Sequence, residues 1–274
     1  MIISEQTRTR SLDLIRAIED LQASRPTALR VLTIADDPAT DARLLAEAID
    51  LDPMLTAQLI RLANSAAFGM QQRISSTQHA VSLIGFDSVR AVAALLASGL
   101  RNHKNPVPDG FWQHSAATAA GCSIVASRFG IPRGEAFSLG LLHDLGTALL
   151  HSIDPSIYDG LNADNEDTDI QCELESREFG LDHAGAAAQV LSSWNFPAAF
   201  VDAIESHHRS TLSTPQERVL VAGDALAHLV IGPSGTLVES GQQLEAMGIS
   251  ADAIPGITQL TSDYAVEVLS ALPR

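Results

Sequence analysis

The sequence predicts an all-α protein, and three observations support this fold class. Apolar residues recur at the three- and four-residue spacing of helices almost throughout the chain, and no sustained alternation typical of strands appears. Hydrophobic residues make up 46% of the 274 residues but aromatic residues only 4%, so the core must consist mainly of Leu, Ile, Val and Ala. Because Leu and Ala are strong helix formers, the composition also favours helices.

Start and stop signals divide the first hundred residues into four or five short helices. These signals are Asp37-Pro38 with Thr40, Asp52-Pro53, Asn64-Ser65 with Gly69, and Gly85 with Asp87. Residues 101–110 contain two prolines and few apolar side chains, which is typical of a linker. We therefore predict two lobes with a boundary near residue 105, the first comprising residues 1–104 and the second residues 105–274.

The second lobe is predicted to contain longer helices, of which the first two are ended by Gly130 with Pro132 and by Asp154-Pro155. Their expected spans are 111–129, 135–153, 182–194, 197–208, 215–231 and 252–272. Between residues 154 and 182, ten acidic residues accompany one basic residue, Arg177. We interpret this stretch as a solvated loop and an exposed helix face, the alternative being a docking surface for a basic partner.

The charge and cysteine content exclude several classes of protein. A formal net charge of -16 opposes binding to nucleic-acid phosphates or an anionic membrane. The two cysteines, Cys122 and Cys172, have no CxxC partner, which excludes zinc ribbons and disulfide scaffolds and favours the cytoplasm. The start of the chain is polar, and the apolar run 91–100 is too short to cross a bilayer. The single lysine, Lys104, follows no Gly-rich segment, so a Walker A loop is absent.

The most informative string is the apolar segment 140–150, in which His143 and Asp144 stand side by side. A buried carboxylate without a partner carries a large desolvation cost, so Asp144 needs a cation, a metal or several hydrogen-bond donors. Other histidines and one further aspartate lie in similar apolar segments. These residues are His114, His183, His207, His208 and Asp224.

Together, these side chains predict a metal site. We expect one ion to be held by His114, His143, Asp144 and Asp224. A second ion can lie beside it, held by His183, His207 and His208. Imidazole and carboxylate ligands suit Fe, Mn, Zn or Ni, whereas Cys122 is interpreted as packing.

Two arginines stand on otherwise apolar predicted helices, Arg61 and Arg90. We interpret them as bridges between the lobes through carboxylates such as Asp52 or Asp87. The alternative is that they hold a phosphate-bearing ligand.

The order of the His and Asp residues resembles the HD superfamily of metal-dependent phosphohydrolases. Two N-terminal motifs, DPMLTAQLIRLANSAAFG at 52–69 and AVSLIGFDSVR at 80–90, resemble its HDOD branch, the HD-related output domains of bacterial signalling proteins. Together with the His and Asp pattern, these motifs cover most of residues 25–230. The resemblance implies an HD-like helical bundle as the C-terminal core, with the N-terminal lobe packed against it.

The sequence departs from the catalytic relatives at two places. Thr147 stands where HD phosphodiesterases usually have a lysine that would neutralise a phosphate. The Gly-Tyr-Pro segment of the cyclic-dinucleotide phosphodiesterases is also absent after His208. We therefore favour a cytoplasmic bacterial signalling module that acts by binding a partner protein, with a vestigial metal site and a nucleotide as a candidate ligand. The alternative is a metal-dependent phosphohydrolase or phosphodiesterase acting on a nucleotide or cyclic dinucleotide.

Overall fold

The computed structural model describes residues 5–21, 26–65, 74–99, 107–163, 168–209, 211–232 and 237–272. Every regular element within these residues is helical, which confirms the all-α fold class. The helices are α1 (Glu5–Leu21), α2 (Pro26–Asp36), α3 (Ala42–Ile49), α4 (Pro53–Ala63), α5 (Thr77–Ala97), α6 (Phe111–Val125), α7 (Arg133–Leu142), α8 (Leu145–Ile153), α9 (Pro155–Ala163), α10 (Thr168–Phe179), α11 (His183–Ser193), α12 (Ala198–Glu205), α13 (Pro215–Ile231), α14 (Leu237–Ala246) and α15 (Ile254–Ala271).

Local capping explains where the helices that carry the site begin. The Asp182 side chain accepts a hydrogen bond from the backbone N–H of Gly185 at the start of α11. Thr214 and Glu217 form a reciprocal capping box at the start of α13, which has Pro215 as its first residue. Each cap satisfies backbone N–H groups that have no partner within the helix.

Helix α5 contains the predicted interruption at Gly85, which has φ +82° and ψ 161° in the middle of the helix. Helix α5 is long and apolar enough to cross a membrane, judged by length and composition alone. The apolar segment of the chain is thus longer than the run 91–100 that the sequence analysis considered. However, 72% of its most apolar window is buried inside the protein. This burial is what the core helix of a folded domain shows.

Two predictions about helix bounds were wrong. The span 135–153 is not one helix, because the backbone leaves helical geometry at Asp144, between α7 and α8. Residues 155–163 and 168–179 form α9 and α10, so most of the stretch that we interpreted as a solvated loop and an exposed helix face is helical. The structure also has a helix, α14, that the sequence analysis did not predict.

Helix α6 lies at the centre of the C-terminal bundle, where it packs against α7, α13 and α15. In the N-terminal part, α5 packs against α2, α3 and α4 and also contacts α7. Helix α1 packs against α8 and α10 instead. The buried apolar side chains of the described residues form one continuous cluster from Leu14 to Leu272. The predicted lobe boundary near residue 105 lies outside the described residues and stays a prediction.

Arg90 links the N-terminal helices to the C-terminal half, as we expected, but its carboxylate partner differs. Its guanidinium donates hydrogen bonds to Asp36 Oδ1 at 2.9 Å and to the Asn195 carbonyl oxygen at 3.0 Å. The same group lies 4.5 Å from the centre of the Phe196 ring. Arg61, by contrast, lies exposed on α4.

The predicted helix end at Asn64 is made by its side chain. Asn64 Nδ2 donates hydrogen bonds to the carbonyl oxygens of Ile60 and Ile74, and its Oδ1 accepts one from the Ile74 N–H. The amide thereby joins the two ends of the 66–73 segment. Two residues of the motif that we quoted, Phe68 and Gly69, lie in that segment, outside the described residues.

Candidate metal centre

All seven predicted ligand residues come together where several helices of the C-terminal half meet. His114 lies in the first turn of α6, and Asp224 lies on α13. His143 and Asp144 occupy the break between α7 and α8, while His183 begins α11 and His207 and His208 follow α12.

Four of these side chains form a first group: His114, His143, Asp144 and Asp224. The Nε2 atoms of His114 and His143 lie 3.2 Å apart. Asp144 Oδ2 lies 3.4 Å from His114 Nε2 and 3.3 Å from His143 Nε2. Asp224 Oδ1 lies 3.1 Å from His114 Nε2 and 3.9 Å from His143 Nε2. His114 Nε2 therefore lies within 3.4 Å of a donor atom from each of the other three side chains.

The other carboxylate oxygen of Asp144 faces the remaining three histidines. Asp144 Oδ1 lies 3.7 Å from His183 Nε2 and 3.9 Å from His207 Nε2. His208 Nε2 lies 2.7 Å from His183 Nε2. We call these four residues the second group; Asp144 belongs to both groups and presents one oxygen to each.

Hydrogen bonds at the far side of each ring fix the orientation of three histidines. The Nδ1 atom of His143 donates to the Gly140 carbonyl oxygen at 2.9 Å, and that of His207 donates to the Ile204 carbonyl oxygen at 2.6 Å. His183 Nδ1 donates to a carboxylate oxygen of Glu175 at 2.7 Å. In each neutral ring the remaining lone pair is then on Nε2, which is the atom facing the cluster.

Glu175, on α10, is a site residue that the sequence analysis missed. Its side chain is fully buried and accepts hydrogen bonds from Tyr158 Oη at 2.9 Å, Gln171 Nε2 at 3.0 Å and the His183 backbone N–H at 2.8 Å. Our interpretation of the acidic stretch as solvent-exposed is wrong for this residue. The spacing of Gln171, Glu175 and Phe179 on one helix face was the available signal.

Thr147 completes this supporting network from the first turn of α8. Its side chain hydrogen-bonds with Tyr158, which in turn donates to Glu175. Thr147, at the position of the usual lysine, therefore interacts with the residues that support His183.

Gly146 allows α8 to approach α11 closely enough to bring Asp144 beside His183. A Cβ atom at this position would overlap the His183 carbonyl oxygen and lie 2.9 Å from the Ala187 backbone nitrogen. Both obstacles are backbone atoms, so the contact requires a residue without a side chain.

The histidines of the cluster fall into two kinds, those with a raised pKa and those with a lowered pKa. Burial alone would lower the pKa of His114 and of His183, but neighbouring carboxylates outweigh it and raise both to about 9. For His207, burial and the neighbouring His143 and His183 lower the pKa to about 4. Burial alone would raise the pKa of Asp144, yet the surrounding histidines hold it below its usual value.

The residues present fit a divalent metal ion. With bonds of about 2.0–2.2 Å, neighbouring ligand atoms of one ion lie roughly 3.0–3.5 Å apart; the distances around His114 Nε2 are 3.1, 3.2 and 3.4 Å. His207 Nε2 is buried and faces the cluster, and it has no hydrogen-bond partner among the residues that the structure describes. A polar atom in that state lacks a partner that an ion would supply. Imidazole and carboxylate donors suit first-row divalent metals.

His228 is a second residue that the sequence analysis missed. It lies one helical turn after Asp224 on α13, its Nδ1 is 4.0 Å from Asp224 Oδ2, and its ring stacks on that of His114 with centroids 5.4 Å apart. The four-residue spacing from Asp224 was the signal in the sequence. His228 is 36% exposed, so the first group is reached by solvent from this side.

Cys122 lies outside the cluster, as we expected. It is fully buried on α6, and its Sγ lies 3.4 Å from the Val219 carbonyl oxygen on α13. Its role is packing between these two helices.

The helical bundle and the convergent His and Asp side chains define an HD-type fold with a candidate metal site. The HDOD domain family matches residues 21–210, and the chain belongs to this family. The resemblance noted from the two N-terminal motifs is thereby confirmed.

Solved structures of similar fold extend over nearly the whole chain. One, named "putative phosphohydrolase", from Shewanella amazonensis SB2B, has a TM-score of 0.73 and 22% identity and covers 96% of this chain and 98% of its own. An HDOD domain protein with unknown function from Geobacter sulfurreducens has a TM-score of 0.62 and 22% identity, covering 94% of this chain and 96% of its own. At this level of identity the likeness shows the fold.

A longer relative is found in Treponema pallidum (strain Nichols), where an uncharacterized protein is 23% identical over 239 residues. The match covers 84% of this chain and 45% of the Treponema protein. The chain thus spans about half or less of the length of the curated relatives it matches.

Proposed function

We propose that the protein is a signal-transduction module of the HDOD type that acts by binding and does not turn over a substrate. Its His/Asp cluster holds a divalent metal and gives the module a site for a phosphate-bearing ligand such as a nucleotide. The helical surface conveys the resulting state to a partner protein. The observation that carries this proposal is a set of metal donors whose carboxylates pair, within the described residues, with histidines and with no Arg or Lys side chain.

The charges around the cluster support binding over turnover. Within the described residues, every ion-pairing partner of Asp144 and Asp224 is a histidine. Thr147, at the position of the usual lysine, is hydrogen-bonded to Tyr158. Phosphoryl hydrolysis usually needs a cation on the departing or non-bridging oxygens in addition to the metal. Losing one such donor typically costs about a hundred- to a thousandfold in rate.

The residues that would hold an ion are those of the two groups, with Asp144 contributing to both. When bound, the metal would supply positive charge for phosphate oxygens. The chain itself holds the imidazole rings in place through Glu175 and two backbone carbonyl oxygens. His228, half-exposed beside Asp224, is placed to donate a hydrogen bond to an incoming anionic group.

The second candidate function is a metal-dependent phosphohydrolase acting on a nucleotide or a cyclic dinucleotide. The observation that favours it is the buried carboxylate of Glu175, which supports the candidate ligand His183. This carboxylate accepts hydrogen bonds from His183, Tyr158 and Gln171. A support of this kind is typical of metal sites in use.

The proposed partner is another protein in the bacterial cytoplasm. A formal net charge of -16 argues against nucleic acid and anionic membranes as partners. Two cysteines without a disulfide, Cys122 and Cys172, are consistent with a reducing compartment.

Two measurements test the proposal. Elemental analysis of protein purified without chelator should find a bound first-row metal, and replacing both His143 and Asp144 by Ala should remove the ion of the first group and so lower the metal content. A hydrolysis screen with added Mn²⁺ or Fe²⁺ should then find no substrate turned over at a rate on the order of one per second or faster. Turnover at such a rate that is lost in the double variant would establish the phosphohydrolase instead.

A further inference from the structure

A thiol lies beside the second group, and neither the family match nor the His/Asp pattern accounts for it. Cys172 Sγ and one nitrogen from each of His183 and His208 all lie within 4.8 Å of one another. Cys172 forms no disulfide.

The position of Cys172 follows from the same helix face that supports His183. Cys172 and Glu175 are three residues apart on α10, so they lie on one side of that helix. Glu175 accepts the hydrogen bond from His183 Nδ1, which fixes α10 against the histidine. Cys172 is thereby held one helical turn away, beside the ring nitrogens of the second group.

A second observation points to a ligand beside these residues. Among the described residues, the buried His207 Nε2 has no hydrogen-bond partner, and it faces Asp144 Oδ1 at 3.9 Å. The ring centroids of His183 and His207 lie 5.5 Å apart, and those of His183 and His208 lie 4.8 Å apart. His183 therefore belongs to two overlapping sets of candidate ligand atoms, one with Cys172 and His208 and the other with Asp144 and His207.

We propose that Cys172 supplies a thiolate ligand to the ion of the second group, together with His183 and His208. This inference rests on the proposed metal site and assigns the chemical class of its second ion. On binding, the thiol loses its proton to solvent and the sulfur coordinates the metal. A thiolate beside imidazoles selects Zn²⁺ over Mn²⁺ or Mg²⁺, so the two groups hold unlike ions.

Cobalt substitution provides the test, because Co²⁺ bound by a thiolate shows a sulfur-to-metal charge-transfer band in the near ultraviolet. The wild-type protein loaded with Co²⁺ should show this band together with visible d–d bands. Cys172→Ser should lose the charge-transfer band and keep d–d bands from the nitrogen and oxygen ligands. Cys122→Ala, which changes the other cysteine, should keep both.

X-ray absorption of the zinc-loaded protein gives an independent readout, with a Zn–S distance of about 2.3 Å expected in the wild type and lost in Cys172→Ser. A charge-transfer band that persists in Cys172→Ser overturns the proposal. So does a wild-type cobalt spectrum that has d–d bands only, which leaves the proposed metal site standing. A wild-type protein that binds no cobalt or zinc overturns both.

Discussion

Glu175 Oε2 lies 2.7 Å from His183 Nδ1 and also accepts the His183 backbone N–H at 2.8 Å. One oxygen thus fixes both the ring and the start of α11. The pairing dictates which ring nitrogen faces the cluster, and it places a negative charge behind a candidate metal ligand.

The first prediction concerns this carboxylate. Glu175→Gln leaves one acceptor oxygen for several donors, so His183 loses part of the support for its orientation and basicity. We expect metal affinity to fall about ten- to a hundredfold, measured by calorimetric titration. Glu173→Gln removes the same charge from the exposed side of the same helix and should leave the affinity unchanged. Equal losses in the two variants would point to a general charge effect.

The second prediction is that metal binding releases protons. In the metal-free protein the pKa values of His114 and His183 are raised to about 9, so both rings are protonated at pH 7. A metal must displace these protons, so its affinity should rise as the pH increases from 7 towards 9 and then level off. Calorimetry at pH 7 in buffers of different ionisation enthalpy measures the protons released. A binding enthalpy that is independent of the buffer would contradict the prediction.

The third prediction concerns the close contact at Gly146. Gly146→Ala forces a methyl group against the His183 carbonyl oxygen and should lower the free energy of unfolding by about 3 kcal/mol. Metal binding should weaken as well, because α8 then moves away from α11. Gly160→Ala is the matched control, since a Cβ there meets no atom within 4 Å and α9 should gain up to about 1 kcal/mol. Urea denaturation measures the free energy of unfolding of both variants, and similar values for the two variants would disprove the argument.

The fourth prediction concerns Arg90. Arg90→Lys cannot reach Asp36 and the Asn195 carbonyl together and loses the planar contact with Phe196, so we expect a loss of about 2 kcal/mol in unfolding free energy. Arg43→Lys, in an exposed pair with Glu47, should change it by less than about 0.5 kcal/mol. Denaturant titration distinguishes the two, and an Arg90 variant as stable as the Arg43 variant would refute the role of Arg90.

The helical class and the members of the His/Asp cluster could be predicted because each depends on local information. Apolar spacing marks helices, and a His-Asp pair within an apolar segment marks a buried polar site. The burial of Leu55, Leu59 and Val89 was likewise predictable from their spacing and is confirmed.

The supporting residues could not be predicted, because their roles arise only when distant helices meet. Glu175 stands among nine other acidic residues in the sequence, and only its contact with His183 distinguishes it. The helix break at Asp144 was also missed, since no Gly or Pro stands at that position in the sequence. Arg90 was expected to bridge the lobes, but its partner Asp36 depends on how α2 lies against α5.

Asp144 connects α7 and α8 at the helix break and is also a candidate ligand. Helix α7 packs against α6, whereas α8 packs against α11 and α1. The helices before and after Asp144 therefore contact different parts of the molecule. Helix α1 also touches α10, where Arg10 pairs with Glu178. Helix α1 is therefore in direct contact with the two helices on either side of His183, α8 after Asp144 and α10 with Glu175, so the second group is built in part on the first helix of the chain.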